Sequence, residues 1–145
     1  MELVDKIGVI YWSYKESTEI MAEKISNGID EAGAKAILVN VVDFDINTID
    51  SYYKIALGCP AMEGEALEKS EFEPFFKAIS GHLNGKKVAL FGSYGWGDGE
   101  WMRDWADRMK NAGAQLIREE GIIANEAPED DVLEELKAAG KELAE

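Results

Sequence analysis

The stretch Val88-Ala89-Leu90-Phe91-Gly92-Ser93-Tyr94-Gly95-Trp96-Gly97-Asp98-Gly99-Glu100-Trp101-Met102 decides how the rest of the chain is read. Val88 to Gly92 is apolar at both alternating sets of positions, as a strand covered on both faces requires. Directly behind it, the eight residues Gly92 to Gly99 hold four glycines and two aromatics. Trp101, Trp105, Met109 and Ala112 then recur at i+4 and i+3 spacing and end at Gly113, the pattern of an amphipathic helix with a glycine stop. These helix aromatics read as core rather than as a cofactor box. Strand, glycine-rich loop and helix in that order are the repeating piece of an α/β fold.

The same alternation extends in both directions. Further apolar runs are Ile7 to Trp12, Ala36 to Val42, Tyr53 to Gly58, and a broken fifth covering Leu116, Ile117, Ile122 and Ile123. Between them, Met21, Ile25, Gly28, Ile29 and Ala32 fall at helical spacing before Gly33, and Phe72, Phe75, Phe76, Ile79 and Leu83 share one helix face. The last helix carries Val132, Leu133, Leu136, Gly140 and Leu143. Pro128 stands near its start, and Glu129, Asp130 and Asp131 favour the positive end of its dipole. Five strands and four helices account for nearly all of the chain. The expectation is one α/β domain over residues 1–145, a doubly wound five-stranded parallel sheet with helices on both faces.

Composition limits the function classes. The chain has 145 residues, 46% hydrophobic and 30% charged with 3 Pro, which excludes disorder and collagen. Acids outnumber bases 29 to 15, for a formal net charge of −14, so a nucleic-acid surface is not expected and basic partners are. Cys59 is the one cysteine and has no internal disulfide partner. No apolar run reaches the roughly 18 residues of a membrane span, and the N-terminus shows no basic region followed by an apolar core. A cytoplasmic protein is expected.

In open parallel sheets ligands bind beyond the carboxyl ends of the strands, where strand order reverses. Three loops leave such ends: Ser13 to Thr18, Pro60 to Glu68, and Ser93 to Glu100. In the third, glycines let backbone amides approach a ligand, and Tyr94 or Trp96 offers a flat face to a planar ring. The alternative is a tight loop whose aromatics cap the core. In the second loop, Glu63-Gly64 suits the central pair of a type II turn, which needs positive φ at its second position. His82, the only histidine, reads as a surface residue, and Cys59 as a packed thiol. Glu63, Glu65, Glu68, Glu71 and Glu73 read as a solvated acidic face, which would also steer basic partners if it rings the edge of a bound ligand.

Gly58-Cys59-Pro60-Ala61-Met62, Glu71-Phe72-Glu73-Pro74-Phe75 and Gly92 to Met102 together resemble the short-chain flavodoxins of the clostridial type, and the resemblance covers essentially the whole chain. It implies the strand order 2-1-3-4-5, one non-covalently held FMN, and one-electron transfer at low potential between redox enzymes, with no catalysis of its own. It implies that Trp96 stacks on the flavin ring, that Met62 packs on the other side, and that the backbone of Ser93, Tyr94, Gly95 and Trp96 meets the ring edge. Pro60 and Ala61 belong to the same contact set, and Glu65 resembles a carboxylate that hydrogen-bonds the ring edge. A carbonyl of the Glu63-Gly64 peptide, where relatives have Gly-Asp, would accept a hydrogen bond from flavin N5 in the neutral semiquinone. Reductases and other oxidoreductases with basic surfaces are the implied partners of a monomer.

One loop departs from the family. Trp12-Ser13-Tyr14-Lys15-Glu16-Ser17-Thr18 stands where the pattern is Ser/Thr-x-Thr-Gly-x-Thr. Ser13, Ser17 and Thr18 are the candidate phosphate contacts, but Lys15 replaces the central Thr and Glu16 the glycine. A carboxylate at about 4 Å from each phosphate charge is repelled by about 4 kcal/mol at an effective dielectric near 20. Three readings follow: FMN held more weakly with Lys15 compensating, a flavin held without use of its phosphate, or a flavin-free interaction module. A flavin-dependent reductase is a further alternative, against which stands the lack of a nicotinamide site.

Overall fold

The computed structural model describes residues 6–13, 16–62, 66–118 and 120–145. Within them the strands are β1 (Lys6–Tyr11), β2 (Lys35–Asn40), β3 (Lys54–Gly58), β4 (Lys87–Tyr94), β5 (Gln115–Leu116) and β6 (Ile122–Asn125). The α-helices are α1 (Glu16–Glu31), α2 (Phe72–Ile79), α3 (Glu100–Asn111) and α4 (Asp130–Ala144). Every strand pair is parallel, in the order β2-β1-β3-β4-β5, with β6 also paired to β4.

The expected order is found, with one correction: the fifth strand is two separate pieces. β5 pairs with Lys87 and Val88 at the start of β4, whereas β6 pairs with Phe91 to Tyr94 at its end. Between them Gly121 donates its backbone N–H to Arg118 O at 3.0 Å and takes φ +77°, a conformation that glycine adopts without strain. Ile117, expected in the strand, lies in this break. Pairing with β6 also carries β4 on to Tyr94, so Gly92, Ser93 and Tyr94 are strand and the glycine-rich loop begins at Gly95.

Other boundaries shift for local reasons. β2 stops at Asn40 because the Asn40 side chain accepts from Val42 N at 3.1 Å and starts a 3₁₀ turn over Val41–Asp43. α2 ends at Ile79, and a 3₁₀ turn over Ser80–His82 carries the chain on to Leu83.

Period-two alternation sorts the strands' side chains onto two faces. Ile10, Ile55, Leu57, Val88 and Leu90 face one core with Phe72, Phe75, Phe76 and Ile79 of α2 and Trp101, Trp105 and Met109 of α3. Ile7, Val9, Ala56, Ala89 and Phe91 face the other, with Met21, Ile25 and Ile29 of α1 and Leu136, Ala139 and Leu143 of α4. The sheet is therefore doubly wound, as the apolar runs imply.

On the second face α1 and α4 cross at two glycines. A Cβ on Gly28 would stand 2.1 Å from Lys137 O, and one on Gly140 would stand 2.2 Å from Ile25 O. Neither position has room for any other residue, and the backbones touch there.

Candidate functional site

All strands run parallel, so Tyr11, Gly58, Tyr94 and Asn125 end at one edge of the sheet. The chain remains stitched together beyond those ends. Trp12 N donates to Gly58 O at 2.9 Å, Cys59 N to Phe91 O at 3.1 Å, Ala61 N to Ser93 O at 2.9 Å, and Glu126 N to Tyr94 O at 2.7 Å. The loops after β1, β3 and β4 are thereby held side by side. Two glycines permit this approach: a Cβ on Gly58 would fall 2.2 Å from the Phe91 ring, and one on Gly92 would fall 2.2 Å from Cys59 O. Trp101 Nε1 donates to that same Cys59 carbonyl at 3.1 Å, so α3 is fastened under the loop after β3.

The candidate residues divide by what they offer. Trp96 is 61% exposed, the largest apolar surface on the loop after β4. Gly95 beside it is open, with nothing within 4 Å of where a Cβ would stand. Met62 and Ala61 are half-buried on the neighbouring loop, and Pro60 is buried. Met62 N donates to Ala66 O at 2.8 Å, forming an isolated antiparallel bridge. The expectations for Glu63, Gly64 and Glu65, including the type II turn, lie outside the described residues, as do Tyr14 and Lys15. Ser13 and Ser17 are half-buried. Thr18 and Ser93 are both buried, and their hydroxyl oxygens lie 3.0 Å apart. Tyr94 is not the exposed platform that its loop position suggests: it is half-buried, its ring centroid 5.6 Å from that of Trp101 at 46°.

The loop carrying Trp96 has its own clamp. Arg103, one turn into α3, donates from Nη1 to Asp98 O and from Nη2 to Asp98 Oδ1, both at 2.9 Å. The guanidinium holds the Asp98 carboxyl below its ordinary range. Gly97 and Gly99, at φ +86° and +91°, supply the left-handed turns that place Asp98 between Trp96 and the start of α3. The sequence signal was available as Asp98 and Arg103 at a separation that spans a helix start.

Two acids expected on a solvated face have other roles. Glu68 is 6% exposed. Its Oε1 accepts from Glu71 N at 2.8 Å and Phe72 N at 2.9 Å, and its Oε2 accepts from Ser70 N at 2.8 Å and from the Ser70 hydroxyl. It therefore satisfies the backbone donors at the entry to α2. Burial pushes its carboxyl up, but the Ser70 hydroxyl and the N–H groups of Phe72, Ser70 and Glu71 outweigh this and hold it below its ordinary range. Glu73 is forked to Arg108, with contacts of 2.7 and 2.5 Å, which also lowers its carboxyl. Glu71 stays exposed and accepts from Trp12 Nε1 at 3.3 Å. Cys59 is fully buried, and burial pushes its thiol far up, in keeping with a packed thiol. His82, exposed, has Nδ1 3.0 Å from Asp50 Oδ1. Among the described residues no group of three or more His, Cys, Asp or Glu could hold a metal.

The ring end of a flavin fits this edge: an exposed indole, an open glycine beside it and a half-buried thioether on the adjacent loop suit a flat apolar ligand. The end of β1 offers an anion less. The first turn of α1 carries Glu16 and Glu19.

Comparison with known proteins gives the family. The flavodoxin family model matches residues 9–140. A flavodoxin of Clostridium beijerinckii is 49% identical over 121 residues, covering 83% of this chain and 88% of that one. One from Megasphaera elsdenii is 45% identical over 123 residues, covering 85% and 88%. The solution structure of two-electron reduced Megasphaera elsdenii flavodoxin aligns with a TM-score of 0.86 at 42% identity, over 94% of this chain and 98% of that one. The chain belongs to the flavodoxin family.

Proposed function

We infer that the protein is an electron carrier that holds FMN without a covalent bond and exchanges single electrons with redox partner proteins; it is not an enzyme. The observation that carries this reading is Trp96, 61% exposed on the glycine-rich loop at the end of β4. FMN, when bound, supplies the redox chemistry, and the protein supplies position and electrostatics.

Trp96 offers its indole face to the ring, and the Asp98–Arg103 clamp holds the loop that carries it. Met62 packs from the neighbouring loop. Ser93, Tyr94 and Gly95 present backbone to the ring edge, with Pro60 and Ala61 forming the adjoining wall. Glu63, Gly64 and Glu65 complete the set on resemblance alone. Acids around the site and a net charge of −14 disfavour added negative charge on the ligand, which sets a low potential. The same charge favours partners with basic surfaces and steers their approach. We place the carrier in the cytoplasm as a monomer. Among the described residues no helix is long and apolar enough to cross a membrane.

Titration of the purified protein with FMN tests the reading. Saturable quenching of flavin fluorescence is expected, and Trp96→Ala should weaken binding about 2- to 10-fold, the worth of one aromatic contact. A protein that leaves FMN fluorescence unchanged at any concentration would be a flavin-free module on this fold.

A further inference from the structure

The start of α1 narrows the flavin reading and rests on it. A ligand phosphate at the edge of a doubly wound sheet is met by a helix N-terminus, through unpaired N–H groups and the positive end of the dipole. The helix after β1 opens with Glu16-Ser17-Thr18-Glu19, two carboxylates in its first turn. Glu16 is the first helical residue and is exposed. Thr18 is fully buried, its hydroxyl against Ser93, so Ser17 is the hydroxyl of this turn nearer to solvent.

The phenol of Tyr11, the last residue of β1, is pushed up first by burial and then by Glu19, Glu23 and Asp43. After burial, the charges that act on this phenol are those of Glu19 and Glu23 in α1 and Asp43 in the turn after β2. A phosphate monoester brings about −1.5 to −2 more charge at neutral pH. The dipole of α1 is already partly answered by Glu16 and Glu19 before any ligand arrives. The groups suited to the ring, Trp96 and Met62, are carried by the loops after β4 and β3 rather than by α1.

We propose that this protein holds flavin chiefly by its ring, and that Glu16 is the specificity residue that removes most of the preference for the phosphorylated form, so that riboflavin is bound nearly as well as FMN. The effect is electrostatic and local. It acts on FMN and leaves riboflavin, which carries no charge there, as it is.

The test is a fluorescence titration of the wild type and of Glu16→Gln with FMN and, separately, with riboflavin, at low and high salt. Wild-type affinities for the two flavins are expected within about tenfold of each other. In Glu16→Gln, FMN should bind about tenfold more tightly at low salt, less so at high salt, with riboflavin unchanged. Riboflavin binding by the variant also reports that it is folded. A wild-type preference for FMN above about tenfold overturns the proposal, and so does an FMN-to-riboflavin ratio that Glu16→Gln leaves unchanged. If neither flavin binds the wild type, the electron-carrier reading falls together with the proposal; if both bind and the ratio fails, the proposal falls alone.

Discussion

Thr18 Oγ1 and Ser93 Oγ lie 3.0 Å apart in the interior and fasten the first turn of α1 to the end of β4. The two loops that would flank a bound flavin are thus joined by a pair of hydroxyls, each of which would be costly to bury without its partner.

Thr18→Val removes one hydroxyl at nearly constant shape and leaves Ser93 Oγ unpaired. A loss of about 1–3 kcal/mol is expected, and Ser93→Ala should cost a similar amount. The double variant should lose clearly less than the sum, because no orphan remains. Urea denaturation of the four proteins measures this, and strict additivity would show that the hydroxyls act separately.

That pair was not legible in the sequence, and the reason is general. Local pattern reports which residues share a face of one element, and it placed β1, β3, the core of β4 and the apolar faces of all four helices. It also singled out Trp96, because an aromatic among glycines at a strand end is a local signal. Which side chain meets Ser93 depends on an element 75 residues away. Glu68 was hidden in the same way. An acid ahead of an apolar helix looks solvated until the chain turns its carboxylate onto the donors of Glu71 and Phe72. The break between β5 and β6 follows from the turn at Gly121, whose backbone passes so close to α3 that a Cβ would stand 2.6 Å from Met102 Sδ.

Gly28 and Gly140 looked like ordinary members of two apolar helix faces, yet their contact sets the spacing of α1 and α4. Gly140→Ala gains about 1 kcal/mol of helix propensity. It also puts a methyl group 2.2 Å from Ile25 O and 3.0 Å from Ile29 N, backbone atoms that move only with the helix. Overpacking of this kind costs about 1–3 kcal/mol, and more where backbone must shift, so a net loss of about 2 kcal/mol is expected. Gly28→Ala, facing Lys137 O at 2.1 Å, should behave alike. Gly81→Ala is the control, since nothing lies within 4 Å of its Cβ position, and it should be near neutral. Denaturation midpoints that rise in all three variants would mean that the helices separate freely at this crossing.

Glu68 makes stability depend on pH in a stated direction. Its carboxyl is lowered in the folded protein despite burial, so the unfolded chain takes up the proton first as pH falls. The stabilisation is fully present above the ordinary glutamate value of 4.5 and is lost as pH drops through the lower folded value. In Glu68→Gln one oxygen still accepts from the α2 backbone, but the amide nitrogen meets Ser70 N–H and hydroxyl donors. A loss of about 1.5–3 kcal/mol is expected at pH 7, the worth of hydrogen bonds to a charged acceptor. Glu73, lowered by Arg108, gives both proteins a shared acid sensitivity, so the informative quantity is the difference between them. That difference should shrink between about pH 5 and pH 3, because protonated Glu68 no longer offers two anionic acceptors. Urea midpoints of wild type and Glu68→Gln measured across that range decide the matter: a gap that stays constant to pH 3 would place the contribution of Glu68 in its packing rather than in its charge.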